Sequence, residues 1–204
     1  MGKIRLAEYT IFDTPLVEPF FRFLSHIYLK AFGWRIEGDN PLSQRFVMIA
    51  APHTSNWDLP MMLAIVFVFR IKLYWFGKDA LFHFPRGAFF RWLGGIAINR
   101  DKANNMVEQS VKLFAEHEKL VLVIPPEGTR KSVRYWKSGF YHIAHGAQVP
   151  IVLGFIDFKR KIAGTGGTFH TTGDVVEDMK LIRLFYAGIT GKNPHLTSEI
   201  NDGD

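Results

Sequence analysis

The sequence predicts a single α/β domain: a largely parallel, buried sheet flanked by helices and preceded by an amphipathic N-terminal helix. Three observations carry this. Short apolar runs such as Arg45–Ala51 (RFVMIAA) and Leu120–Ile124 (LVLVI) have the look of strands covered on both faces. They alternate with helical patterns, as βαβ units do. The 204 residues show no internal repeat or linker, and a chain of that length can bury a sizeable core.

Taken in order, Leu16–Phe32 is the first helix. Glu18, Arg22, His26 and Lys30 recur every fourth position as one narrow polar stripe, and nearly everything between them is apolar. An arc that wide belongs either to a helix packed on its own domain or to one lying in a membrane interface, and the pattern leaves both open. Arg45–Ala51 is a strand, Pro52–Asp58 a loop and Leu59–Arg70 a helix. Strand Lys72–Gly77 leads to helix Gly87–Leu93 and strand Gly95–Asn99. Ala103–Glu118 is a helix with Met106, Val107, Val111 and Phe114 on period. Leu120–Ile124 is a strand that stops at Pro125-Pro126. A short helix Gly139–Gly146, a strand Pro150–Phe158 and a Gly/Thr-rich loop or edge hairpin Gly164–Thr172 come next. Val175–Ala187 closes the series, and the chain beyond Asn193 reads as loose. The expected division is a membrane-contacting helical segment over 1–34, the main domain over 35–195 and a loose acidic tail over 196–204.

Composition narrows the chemistry. The chain has no cysteine, which excludes disulfides, Cys-ligated zinc, iron–sulfur clusters and thiol catalysis. Nineteen phenylalanines accompany a net charge of +6, and residues 199–204 hold three acids and no base, so residues 1–198 carry +9. A basic, Phe-rich body fits nucleic acid, an anionic membrane or a phosphorylated ligand. Met1–Leu6 lacks the Ser or Thr of a myristoylation site, and nothing resembles a signal peptide. The most apolar charge-free run, Leu59–Phe69, is far shorter than the ~20 residues of a spanning helix. The expectation is a peripheral protein on the cytoplasmic face of a membrane, with no spanning helix.

In open α/β sheets, ligands bind at the carboxyl ends of strands. Three polar segments occupy such positions: Pro52–Asp58, Asn99–Arg100 and Pro125–Arg130. His53 and Asp58 are five apart, so they meet only if His53 sits in the loop and Asp58 on the first helical turn. Asp58 then accepts from Nδ1 and leaves Nε2 as a general base. The plain alternative makes Asp58 a helix cap ahead of Pro60 and His53 a partner of a main-chain carbonyl. Pro125-Pro126-Glu127-Gly128-Thr129-Arg130 is a rigid turn, and four bases fall in the eight residues from Arg130. Arg130 and Arg100 have the planar fork that suits phosphate, and Lys78 after its strand is a weaker candidate. Ser55 is not expected to act as a nucleophile, because no G-x-S-x-G elbow is present. His142 and His145 have no acidic third ligand beside them, so no metal is expected. Gly164–Phe169 ends in Phe where a dinucleotide loop needs Gly, and the basic run Lys159–Lys161 has no nucleic-acid motif around it, so no nucleic-acid partner is expected.

Together these segments resemble the glycerolipid acyltransferases of the bacterial, PlsC-like 1-acylglycerol-3-phosphate type. HTSNWD is similar to the family's H-x-x-x-x-D block, GGIAINR to its second block, PPEGTR to its P-E-G-T-R block, and Val149–Val152 to a fourth, V-P-[IV]-x. The four stand in the family's order and span about half the chain. The resemblance implies an O-acyltransferase of phospholipid biosynthesis that needs no cofactor, only acyl-CoA or acyl-carrier protein as co-substrate. His53 would be the base and Asp58 its orienting partner. Arg100, Glu127, Gly128, Thr129 and Arg130 would hold the acceptor's phosphate or polar head, and Lys78 joins them as a substrate-binding candidate only from its place after a strand. The acceptor would be a lyso-glycerolipid, with another lysophospholipid or a lyso-aminolipid as alternatives. Pro52 stands where many members have Asn, which bears on acceptor preference. A rival outside this class is a non-catalytic lipid-binding protein, which would use the Phe-rich helix and basic patch but not His53 with Asp58.

Overall fold

In the computed structural model, residues 4–41, 43–98 and 106–198 are described. The elements are α1 (Val17–Ala31), β1 (Arg35–Glu37), β2 (Arg45–Ala51), α2 (Asp58–Phe69), β3 (Tyr74–Lys78), α3 (Gly87–Trp92), β4 (Gly95–Ile98), α4 (Met106–Glu116), β5 (Leu120–Ile124), α5 (Gly139–Ala147), β6 (Ile151–Asp157), β7 (Ile162–Phe169) and α6 (Val175–Tyr186). Short 3₁₀ turns cover Asp79–Phe82 and Pro194–Leu196.

One seven-stranded sheet has the order β1-β7-β6-β2-β5-β3-β4. From β6 across to β4 the strands run parallel; β7 is antiparallel to β6, and β1 parallel to β7. Strand periodicity splits the core in two. Val47, Ile49, Leu120, Leu122, Ile151 and Leu153 face α4, α5 and α6, packing on Phe114, Phe140 and Ile182. Phe46, Met48, Val121, Val123 and Val152 face the other way, onto Val66 of α2. Both faces are therefore apolar, which explains the unbroken hydrophobic runs of β2 and β5.

The first helix forms a further layer on α2, with Glu18, Arg22, Ser25 and Leu29 toward the domain and His26 and Lys30 exposed. Leu29 packs with Met61 and Ala64 of α2, and the Phe21 ring stacks on Phe67 at 5.6 Å. Ser25 and Leu29 are its buried residues, while Glu18 and Arg22 are half-buried and pair at 3.6 Å. Outward point Phe20 (56% exposed), Phe23 (61%), Ile27 (49%) and Phe32 (57%). One face of the helix packs on α2, and the other is exposed. No described helix is long and apolar enough to cross a membrane.

Several expectations change. β1 was not foreseen, because three residues at a sheet edge show no usable period. The Gly/Thr-rich stretch lies mainly in β7, paired with β6 through an irregularity between Val152 and Gly154. Its glycines let β1 come close: a Cβ on Gly164 (φ +152°) would lie 1.9 Å from the Glu37 carbonyl oxygen. Beyond Asn193 the chain is folded as far as Ser198, which is 7% exposed and whose hydroxyl accepts from the Val133 N–H at 3.1 Å. Residues 199–204, the rest of the acidic tail, lie outside the described residues.

Helices α5 and α6 are joined by a buried carboxylate. Asp178, 2% exposed, accepts from the Tyr141 hydroxyl (2.7 Å), the Thr172 N–H (2.7 Å) and the Thr172 hydroxyl (3.0 Å). Burial by itself would raise the Asp178 carboxyl, but these hydrogen bonds outweigh it and hold the group below its ordinary value. Tyr141→Phe removes one donor from the carboxylate and should cost about 1–3 kcal/mol in urea unfolding at pH 7. A group with a depressed folded pKa stabilises fully above its unfolded pKa and loses that contribution as pH falls through the folded one. The deficit of Tyr141→Phe should therefore narrow in acid, below the ordinary carboxylate range.

Candidate active site

The loop leaving β2 enters α2 through a turn built around one oxygen. Asp58, the first residue of α2, is 7% exposed. Its Oδ2 accepts from the Thr54 N–H (2.8 Å) and the Ser55 N–H (2.8 Å) and lies 3.0 Å from His53 Nδ1. The carboxylate thus turns back into the loop that precedes it. A carboxylate offers only acceptors, so Nδ1 carries a proton in that contact, and in the neutral ring Nε2 is then the nitrogen with the lone pair.

The neighbouring strand supplies the second support. Glu127, after β5, is 3% exposed, and its Oε1 accepts from the His53 N–H at 3.1 Å. Burial pushes its carboxyl up; hydrogen bonds from its own N–H and that of His53 pull the other way, while Asp58 adds to the rise. Gly128, at φ +64°, closes the turn by donating to the Pro125 carbonyl at 3.1 Å. The Arg130 guanidinium then reaches across to donate to Asn56 Oδ1.

These parts line a groove of about 1060 Å³ running beneath α2. Lys78, Gly128, Thr129, Arg130 and Lys131 line it together with His53 and Asp58, and Met48, Met62, Val66, Phe69, Ile71 and Val123 give it an apolar wall. The volume sits at the upper end of the range for small-ligand clefts. Of the residues expected from sequence, His53, Asp58, Lys78, Gly128, Thr129 and Arg130 come together here. Glu127 lies behind them, lining a smaller cleft of about 410 Å³ with Trp136 and Tyr186. Arg100 falls outside the described residues.

The main-chain N–H groups around His53 and at Gly128 are taken: His53 by Glu127, Thr54 and Ser55 by Asp58, and Gly128 by Pro125. Ser55 is 9% exposed, and its hydroxyl accepts from the Trp57 N–H. Sequence reasoning missed Asn56 as the partner of Arg130, and it missed the apolar wall. A signal for the wall existed: Leu59–Phe69 is apolar all round, as suits a helix covered on both sides.

No curated protein matches the sequence. The fold is similar to the crystal structure of the 1-acyl-sn-glycerophosphate acyltransferase PlsC from Thermotoga maritima, with a TM-score of 0.58 and 17% identity over 85% of this chain and 76% of that one. Residues 33–153, more than half of the chain, match the Acyltransferase family, and that span includes the His53–Asp58 loop and the Glu127–Arg130 turn. The chain belongs to the acyltransferase family.

Proposed function

We propose that this acyltransferase moves a fatty acyl group from an acyl-CoA or acyl-carrier-protein thioester to the free hydroxyl of a lyso-glycerolipid, with 1-acylglycerol-3-phosphate as acceptor and phosphatidic acid as product. The observation that carries the reading is the His53 Nδ1–Asp58 Oδ2 contact of 3.0 Å in a groove with an apolar wall and lysine and arginine at its mouth. Nε2 of His53 takes the proton from the acceptor hydroxyl as its oxygen attacks the thioester carbonyl. The tetrahedral intermediate then collapses, the C–S bond breaks, and the departing thiolate takes up the proton from His53. No covalent enzyme intermediate is needed, because the groove brings hydroxyl and thioester together.

Arg130 and Lys78, with Lys131, are the cations facing the groove. They serve the acceptor phosphate and the developing oxyanion. Arg100 is proposed for the acceptor phosphate on the family resemblance alone. Gly128 and Thr129 shape the head-group end. Glu127 acts on the acceptor only indirectly, by holding the His53 main chain. The apolar wall under α2 accommodates acyl chain. A neutral lyso-aminolipid would leave these cations without a counter-charge, which favours a phosphate-bearing acceptor.

The outward apolar face of α1 supports a peripheral position on a lipid surface, and the cytoplasmic side is part of the same proposal. Isolated exposed side chains need no explanation, but a row such as Phe20, Phe23 and Ile27 on one helix does.

Two outcomes follow. His53→Ala should lower acyl transfer from labelled acyl-CoA to lysophosphatidate by at least about 10³-fold while binding to liposomes is unchanged; unaltered acylation contradicts the mechanism. Replacing Phe20, Phe23 and Ile27 by Ser should abolish sedimentation with vesicles containing phosphatidylglycerol, and a variant that pellets as before places the membrane contact elsewhere.

A further inference from the structure

The loop that carries His53 is held from a second direction, by chain well outside the 33–153 span. After α6, residues 190–198 run as a strap along the site. At its start, the Phe158 N–H donates to the Thr190 carbonyl at 2.9 Å. At its end, the Ser198 hydroxyl accepts from the Val133 N–H in the basic loop. The Gly191 N–H donates to the Thr197 hydroxyl at 3.3 Å, drawing the two ends together.

Three consecutive residues of this strap meet the His53 loop. Gly191 lies so near Thr54 that a Cβ there would fall 2.5 Å from Oγ1 and 2.6 Å from Cγ2. The Lys192 ammonium stands 4.4 Å above the Trp57 ring. Asn193 grips Thr54 twice: its main-chain N–H donates to Oγ1 at 3.2 Å, and its side-chain Nδ2 donates to the Thr54 carbonyl at 2.8 Å.

Thr54 is 2% exposed, and all of its polar groups are engaged. Its N–H belongs to Asp58; its carbonyl and hydroxyl belong to Asn193. It is therefore the residue through which the strap acts on the turn around Asp58 Oδ2. Without the Asn193 amide, the Thr54 carbonyl is a buried acceptor with no donor. That carbonyl shares its peptide unit with the Ser55 N–H, so when the unit reorients the Ser55 N–H leaves Asp58 Oδ2, and the turn that holds the Thr54 N–H and the His53 ring loosens with it.

We infer that Asn193 is a positioning residue for acyl transfer, fixing Thr54 and, through it, the His53–Asp58 geometry. The inference rests on the assignment of His53 as the base. It is distinct from direct substrate contact, which must be separated experimentally because Asn193 also lines the groove.

The test compares the full-length protein with Asn193→Ala and the isosteric Asn193→Asp, which replaces the donor by an acceptor. Rates are measured with acyl-CoA and lysophosphatidate in vesicles of fixed composition. Small displacements of a catalytic group can cost up to about a hundredfold in rate. The expected result is a ten- to hundredfold fall in kcat for both variants, with both KM values within about twofold of the parent. In a His53→Ala background, Asn193→Ala should bring no further loss, since residues acting as one unit are not additive. A kcat within twofold of the parent overturns the inference, as does a raised KM with kcat intact, or an equal further loss in the His53→Ala background. If Asn193→Ala does not fold, Asn193→Asp carries the same comparison. A His53→Ala protein with full activity overturns the base assignment and this inference together. Loss in His53→Ala beside full activity in both Asn193 variants overturns this inference alone.

Discussion

One oxygen atom organises the site. Asp58 Oδ2 gathers the His53 ring and the main-chain N–H groups of Thr54 and Ser55. A turn wrapped on a buried acceptor in this way has little freedom, because any of the three donors that left would have to find another partner in a nearly dry environment. Among the described residues the other oxygen, Oδ1, is buried with no hydrogen-bond partner, so the carboxylate's hydrogen bonding there is concentrated on the side that holds the histidine. The fold supplies two further struts from distant chain: Glu127 on the His53 N–H, and Asn193 on Thr54. All three hold the loop, and none depends on a bound substrate.

The sheet makes that convergence possible. β2 and β5 are adjacent and parallel, in register from Arg45 opposite Leu120 to Ile49 opposite Ile124. Their carboxyl ends therefore deliver the His53 and Glu127 turns side by side. Covering both faces with helices leaves the strand ends as the place where polar chain collects. The groove beneath α2 then joins that polar end to an apolar interior, so a charged head and a hydrocarbon chain can occupy one site.

Much of this was legible in the sequence, for definable reasons. The bounds of β2 and β5 followed from uninterrupted apolar runs that end in proline. Placing His53 in the loop and Asp58 on the first helical turn allowed the two to meet, and the family resemblance favoured that over a plain helix cap. The direction of Glu127 was not legible, because a Pro-Pro-Glu-Gly turn presents its carboxylate equally well inward or outward until the His53 N–H beside it is known. Asn193 was invisible, since its partner Thr54 lies 139 residues away and nothing in a short polar segment marks it as a strap. The wheel of α1 showed two faces without saying which is inward. Glu18 and Arg22, as a pair, can be half-buried, whereas the broad Phe face cannot all be covered by α2.

The account turns on Asp58 holding His53 with the proton on Nδ1 and a bare Nε2. Long-range ¹⁵N–¹H correlation spectra of the histidine-labelled protein, with His53 identified by its absence in His53→Gln, test this directly. The neutral ring should be the Nδ1–H tautomer and should lose that preference in Asp58→Asn. An Nε2–H tautomer in the parent protein, or a tautomer indifferent to Asp58→Asn, would contradict the account.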